Sequence, residues 1–352
     1  MSGFISGNAK RLTWERYVIA LLVCAAVTAV VAIIAPMFGV ASDRGGRHIE
    51  FLGLDALSSG TQAAQILWVR IPRVLAAMLV GGALAGAGCA LQALLRNPLA
   101  EPFTLGISSG ASLFAVLAIR FGIEAHIGGI GVGGAALVGA FSTLLLVWQL
   151  ARVGKQLPPA TLVLAGVTLS MFCSSASVLV QYTSDFSDVS RMLRWMMGGL
   201  DSMRLSPVGY ASLPILGGLA VLIAYGRELN ALAAGTEVAA SLGVAVGRTQ
   251  VIVFVVSSLL VGAAIALAGP IGFVGLIVPH ALRAVLGPDH RLLVPASVFG
   301  GAVLLVLCDT LARTLVSPAQ LPTGAVTAVL GGPFFVMILV GQKRRAGMWG
   351  HT

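Results

Sequence analysis

The chain has 352 residues, 57% of them in the AVILMFWYC class and only 10% charged, and its formal net charge is +9. Its mean hydropathy is +0.96. A soluble domain carries roughly 25% charged residues, so a globule, a disordered chain, a coiled coil and a secreted disulfide scaffold are all excluded. What remains is an all-α polytopic membrane protein, because lipid forces every backbone polar group to find its partner within the protein. Lys is scarce, and the Arg residues stand singly between apolar runs, which is membrane-flanking charge rather than a nucleic-acid surface. Cys24, Cys89, Cys173 and Cys308 lie far apart in apolar stretches, without metal spacing or a disulfide framework. They read as small packing residues.

A spanning helix needs about 20 apolar residues. In chain order the runs are 17–39, 74–95, 105–121, 130–151, 161–182, 207–225, 249–268, 293–312 and 324–341. The shorter segment 271–286, broken by Gly and Pro and containing His280, brings the expectation to about ten helices. Lys10, Arg11 and Arg16 precede the first run and Gly39-Val40-Ala41 resembles a cleavage site, but the run exceeds the roughly 7–15 residues of a signal h-region. An uncleaved first helix is expected. Arg70-Ile-Pro72-Arg73 follows, placed at the outer start of the second helix. Pro suits a helix start and Arg snorkels there, yet the same cations can receive carboxylates of a soluble partner, since Arg binds them bidentately. Gly82 with Gly86, and Gly129 with Gly133, have the spacing of close helix contacts in lipid.

Gln92 to Pro102 reads as a rigid inner turn with two prolines. Gly106-Ile-Ser108-Ser-Gly110 matches the nucleophile elbow of serine hydrolases, but the strand–turn–helix context is missing. An intramembrane hydrolase using Ser108 is the reading it would support. Gly129 to Gly134 matches a dinucleotide pattern with no preceding strand. Segment 186–204 carries Arg191 and Arg194 on one helix side, with Trp195, Gly198 and Gly199 beside them. This is a candidate substrate mouth. The inner loop 227–248 is polar, and Gly235 and Gly243 divide it into two short helices suited to docking. Glu101 to Gly106 faintly echoes Gly269 to Phe273, as an inverted repeat would. The histidines His48, His126, His280, His290 and His351 form no i,i+4 pair, and no nucleotide-binding P-loop is present. Asp309 lies within an apolar run, and Arg313 one turn later can pair with it. An ion-coupled secondary transporter, which buries carboxylates at the midplane, would rest on this aspartate. Counted loop by loop, Lys and Arg are more numerous on the side of the N-terminus, so both termini are expected in the cytoplasm.

Taken together these motifs resemble the permease subunits of type II ATP-binding-cassette importers, the FecCD-type iron-chelate permeases that take up ferric siderophores, haem and cobalamin. The resemblance covers about residues 60 to 342. It is carried by Arg70-Ile-Pro72-Arg73, Arg96-Asn97-Pro98-Leu99-Ala100-Glu101-Pro102, Leu105-Gly106, Trp195-Met-Met-Gly198-Gly199, Leu242-Gly243 with Gly247-Arg248, Gly269 to His280, and Leu321-Pro322-Thr-Gly324. It implies one transmembrane permease domain over 1–352 in a bacterial inner membrane, with the type II ABC importer permease fold. The implied partners are a second permease (an identical copy or a sister chain), two ATPase subunits and a periplasmic binding protein, with lipid around them and no nucleic acid. The chain would bind no cofactor itself, ATP and Mg being held by the ATPase, and would be no enzyme. By position, the resemblance assigns Arg70, Arg73 and Arg313 to docking of the binding protein. It assigns 228–245 to the coupling helices, with Glu228, Asn230, Ala234, Gly235, Glu237, Ala240, Leu242 and Gly243 facing the ATPase. The inner gate would be Asn97, Leu99, Pro159, Ala160 and Thr161, although Pro159 and Ala160 depart from the small hydroxyl residues usual there. A ferric siderophore is the expected cargo, with cobalamin or haem as alternatives.

Overall fold

The computed structural model describes residues 13–43, 46–51, 62–123, 131–154, 156–201, 203–316 and 319–348. Lys10, Arg11, Arg44, His126, Gly129, Lys155 and His351, and the side chains of Arg47, His48, Lys343, Arg344 and Arg345, lie outside the description. Helix α1 (Trp14–Ile34) is capped by Thr13, whose hydroxyl accepts from the Arg16 N–H at 3.3 Å. The run expected to be helical to residue 39 stops earlier, because Pro36 cannot donate to a continuing helix. A 3-10 turn (Ala35–Met37) leads into β1 (Phe38–Asp43), which pairs antiparallel with β2 (Gly46–Phe51). This hairpin holds the only two strands among the described residues, beside an isolated bridge between Val153 and Gln156. The Phe38 and Phe51 rings, opposite each other in the register, meet edge to face at 5.3 Å.

The remaining helices are α2 (Gln62–Leu94), α3 (Ile107–Arg120), α4 (Gly131–Ala151), α5 (Pro159–Tyr182), α6 (Phe186–Met196), α7 (Leu205–Ala224), α8 (Gly226–Ala234), α9 (Thr236–Ser241), α10 (Val246–Ala268), α11 (Val274–Leu286), α12 (His290–Thr314) and α13 (Thr323–Met348). Among the described residues, seven helices, α1, α2, α4, α5, α7, α10 and α12, are long and apolar enough to cross a membrane. The apolar parts of α3, α11 and α13 are shorter and complete the expected set of about ten. Helix α2 differs most from expectation. It begins at Gln62, so Arg70, Pro72 and Arg73 lie inside it rather than at its start.

Helix α2 runs through the centre, against α7, α10, α11 and α12. Its closest neighbour is α12: a Cβ on Gly81 would collide with the Gly301 carbonyl, and one on Gly301 with the Gly81 carbonyl. Gly88 meets Gly275 of α11 in the same way, and Gly110 of α3 meets Gly139 of α4. Such backbone-to-backbone contact is what small residues permit in lipid, where no hydrophobic force gathers the helices. Gly82 and Gly86 pack on Val298, beside the closest contact rather than in it. At the periphery, α1 and α5 bury little of their apolar surface.

The spans alternate in direction. One end of the bundle gathers the start of α1, the turn after α2, the α4–α5 turn, α8, α9, the α11–α12 turn and the end of α13. Trp14, Tyr17, Ile223, Arg227 and Arg291 line one cavity of 510 Å³ there. The opposite end holds the hairpin, α6 and the α12–α13 connection.

Candidate functional site

At the hairpin end, α2 and α12 bring three arginines together. Arg73 is buried, and its Nε donates to both oxygens of Asp309 at 2.9 Å. Its Nη1 donates to Gln320 Oε1 at 2.6 Å and lies 3.1 Å from Asp201 Oδ1. Arg313 Nε lies 3.4 Å from Asp309 Oδ2, one helical turn along α12 as the spacing expected. Thr323, at the start of α13, donates to Asp309 Oδ1 at 2.9 Å. One buried carboxylate thus ties α2, α12 and α13 together. Arg70 stands a turn further out and donates to the carbonyls of Pro36 (3.1 Å) and Phe38 (3.2 Å), while Arg313 Nη2 donates to the Ala35 carbonyl at 3.1 Å. The arginines therefore also clasp the root of the hairpin. Of the three assigned to docking, Arg73 is buried and Arg70 and Arg313 are half-buried, and Arg73 and Arg313 are committed to Asp309. The motif that marks Arg73 gave no sign of this pairing, which joins residues 236 apart.

Asp201 sits on a turn stitched into the bundle: Gly199 N–H donates to the Ala268 carbonyl at 2.8 Å, and Gly324 N–H to that of Gly198 at 3.1 Å. Gly198 has φ of +65° and touches the Pro270 carbonyl, so both its backbone conformation and its space require glycine. Before this turn, α6 carries the candidate mouth. Arg191 lies 3.6 Å from Asp188, Arg194 donates to Ser190 Oγ at 3.0 Å, and Trp195 is half-buried at the end of the helix.

At the other end, Gly235 (φ +128°) separates α8 from α9, and Gly243 (φ +83°) follows α9, so the two expected short helices are present. Ala234, Glu237, Ala240, Leu242 and Gly243 are exposed, whereas Glu228 and Asn230 are partly buried. Val238 and Leu242 give this ledge an apolar edge that is exposed among the described residues. The Asn230 amide instead reaches the α11–α12 turn, where its Nδ2 donates to Asp289 Oδ1 and its Oδ1 accepts from His290 N–H, both at 2.7 Å. Burial pushes the Asp289 carboxyl up, but hydrogen bonds from Arg291 and Asn230 outweigh it and hold the group down at about 2. Nearby, Asn97 Oδ1 accepts from Leu99 N–H at 3.0 Å, closing the turn after α2. Thr161 donates to the Ala151 and Pro158 carbonyls at 2.9 Å, beside half-buried Pro159 and exposed Ala160. Asn97, Leu99 and the 159–161 group thus share one end of the bundle with the ledge.

The echoing segments before α3 and α11 meet in space. Glu101, in the turn after α2, accepts from the Phe273 N–H at the start of α11. Phe273 has φ of +68°, uncommon for a bulky residue, so this bond holds a strained corner. Burial pushes the Glu101 carboxyl up, against the smaller opposing pull of the Phe273 N–H. Sequence reasoning placed Glu101 in a motif without giving it a task.

An apolar multi-pass bundle with a basic cluster at one end and a two-helix ledge at the other is the arrangement the motifs anticipated, and residues 27–341 match the FecCD transport family. The chain belongs to that family. Its relatives include the hemin transport system permease protein HmuU of Yersinia pestis, 39% identical over 82% of this chain and 87% of that protein. The cobalamin import system permease protein BtuC of Halobacterium salinarum is 40% identical over 81% of this chain and 76% of that protein. Among solved structures, a metal-chelate type ABC transporter in an inward-facing conformation superposes with a TM-score of 0.77 at 30% identity, covering 92% of this chain and 99% of that one. This FecCD chain is therefore a multi-pass membrane permease of the type II ABC importer kind, whose ATPase is a separate subunit.

Proposed function

We propose that this FecCD permease pairs with a second permease, identical or a sister chain, to carry a metal chelate inward across a bacterial inner membrane. The single observation that carries the reading is the gathering of Arg70, Arg73 and Arg313 at the end opposite the exposed ledge of α8 and α9. The arginine end faces the periplasm and receives a binding protein's carboxylates, with Arg70 making first contact and Asp309 keeping Arg73 and Arg313 in place. The ledge and both termini face the cytoplasm. There Glu237, Ala240, Leu242 and Gly243 rest on the ATPase, which holds ATP and Mg, while Asn97, Leu99 and the 159–161 group close the route from within. No cofactor is needed on this chain.

The route runs along α5, whose outward face leaves Thr168, Met171, Ser174 and Ser175 exposed in the isolated chain. Small and hydroxyl-bearing residues mark the interfaces of membrane helices, so this face is assigned to the second permease and the passage between the two. Arg191 and Arg194 lie at its outer mouth. The hemin and cobalamin named in the relatives favour a metal macrocycle over the ferric siderophore that the family resemblance suggested, and the metal-chelate type of the solved neighbour is compatible with either. An ion-coupled transporter is disfavoured because Asp309 is locked between two arginines.

The test is uptake into proteoliposomes holding this chain, its partner permease and the ATPase, with binding protein outside and ATP inside. Haemin, cobalamin and a ferric siderophore are offered separately. ATP-dependent uptake of haemin or cobalamin is expected. Uptake of the siderophore alone would reverse the cargo assignment, and uptake without the ATPase would overturn the importer reading.

A further inference from the structure

Two helices reach from the ledge to the arginine cluster, and they are the same two that touch backbone to backbone. Helices α2 and α12 both pack on α8. Their opposite ends carry Arg70 and Arg73, and Asp309 and Arg313, respectively. Between these points Gly81 and Gly301 bring the two backbones into contact, with Gly82 and Gly86 closing on Val298 alongside. Packed interiors are stiff and pass strain on rather than absorbing it. A pair joined at its middle by glycine contact and at one end by the Arg73–Asp309 bond moves as one body.

The attachment of the ledge to this body is polar and specific. Asn230 of α8 donates to Asp289 and accepts from the His290 N–H, so one amide spans the first residue of α12 and its cap. Asp289 also accepts from the backbone N–H of Arg291 at 3.1 Å and from its Nε at 3.0 Å, which fixes the carboxylate in place. Gly226, the first residue of α8, lies against the Arg291 backbone, where a Cβ would come within 3.0 Å of Arg291 Cα.

We infer that the α2–α12 pair is the rigid member that passes motion between the ATPase ledge and the docking arginines, and that Asp289 is the positioning residue that locks the ledge onto it through Asn230. The inference rests on the proposed function and adds a route and a residue that the motifs do not contain. Asp289 acts through Asn230. Its work is to make the tilt of α8 into a tilt of α12.

The experiment uses the complete importer (this chain, its partner permease, the ATPase subunits and the binding protein) in lipid nanodiscs and proteoliposomes. Docking affinity, basal ATP hydrolysis, its stimulation by loaded binding protein, and uptake are measured together. In the unaltered importer, docking must stimulate hydrolysis; its absence there would sink the proposed function and not this inference alone. With Asp289→Ala, docking and basal hydrolysis are expected within about twofold of the unaltered complex, while stimulation and uptake fall about tenfold, the scale of a site-to-site coupling energy. Asn230→Asp, which sets two carboxylates face to face, gives the same loss where Asp289→Ala assembles poorly. Asn230→Ala, which leaves Asp289 bound to Arg291, is expected to lose stimulation to the same extent, and the double variant Asn230→Ala with Asp289→Ala to lose no more than either alone, which two independent packing defects would not allow. Full stimulation with Asp289→Ala, or additive losses in the double variant, overturns the assignment.

Discussion

Asp309 shows how one side chain sets the character of a whole end of the bundle. It is buried and holds Arg73 by two 2.9 Å contacts, Arg313 at 3.4 Å and Thr323 at 2.9 Å. Removing one partner of a buried ion pair leaves an uncompensated charge and costs roughly 3–5 kcal/mol. Asp309→Ala is therefore expected to lower the melting temperature of the purified chain sharply, and Arg73→Glu, which would add a carboxylate beside Asp309 and Asp201, to do the same. Arg70 stands outside this buried pair and donates to the Pro36 and Phe38 carbonyls, so Arg70→Glu should weaken docking of the binding protein, read by surface-bound affinity at low and high salt, and lower the melting temperature less than Arg73→Glu does. Asp289 adds a pH expectation. Its carboxyl is held at about 2, below its ordinary 3.8, so the stability it contributes is present above pH 4 and is lost as pH falls toward 2. Docking-stimulated hydrolysis should thus show no step between pH 8 and pH 5 that Asp289→Asn abolishes.

Between elements, the decisive contacts are those without side chains. Gly81→Ala would drive a methyl into the Gly301 carbonyl, and overpacking of this kind costs about 1–3 kcal/mol; Gly217→Ala, with open space around it, should cost far less in the same thermal melt. The corner where α11 begins makes a second expectation. Because burial raises the folded-state value of Glu101 above its ordinary 4.5, the stability tied to its protonated form is present below that pH and is lost as pH rises through the raised value. Glu101→Gln keeps an acceptor for the Phe273 N–H and should melt higher than the unaltered chain at pH 8 but not at pH 4.5. Glu101→Ala, which orphans that N–H, should lose about 1–3 kcal/mol. The spans themselves were legible as apolar runs, and Gly235 and Gly243 were legible as breaks in the ledge. The start of α2 was not, because Arg70 and Arg73 interrupt the apolar run while their partners, Asp309 and the 36–38 carbonyls, lie far along the chain. The hairpin was hidden for a simpler reason: Phe38 and Val40 continue an apolar run that only Pro36 divides. Likewise the Glu101–Phe273 and Asn230–Asp289 bonds join residues that no local period links, although the echo between the two segments hinted at the first.

At the scale of the molecule, the two ends of the bundle are built from different chemistry, a cluster of arginines at one and a partly apolar ledge at the other. Exchange of the α8–α9 ledge for that of another FecCD permease should change which ATPase assembles with the chain, read by co-purification, while leaving the choice of binding protein unaltered. The placement of the first and last described helices has a further consequence. Because Trp14 and Met348 lie at the same end, the tail of one copy can be joined to the head of another by a soluble tether, with no added crossing and no inverted subunit. A gene encoding such a tandem would yield a covalent dimer of fixed stoichiometry. Writing a lesion such as Asp289→Ala into the first half, the second half or both would then reveal whether the two motors must pull in concert or whether one suffices.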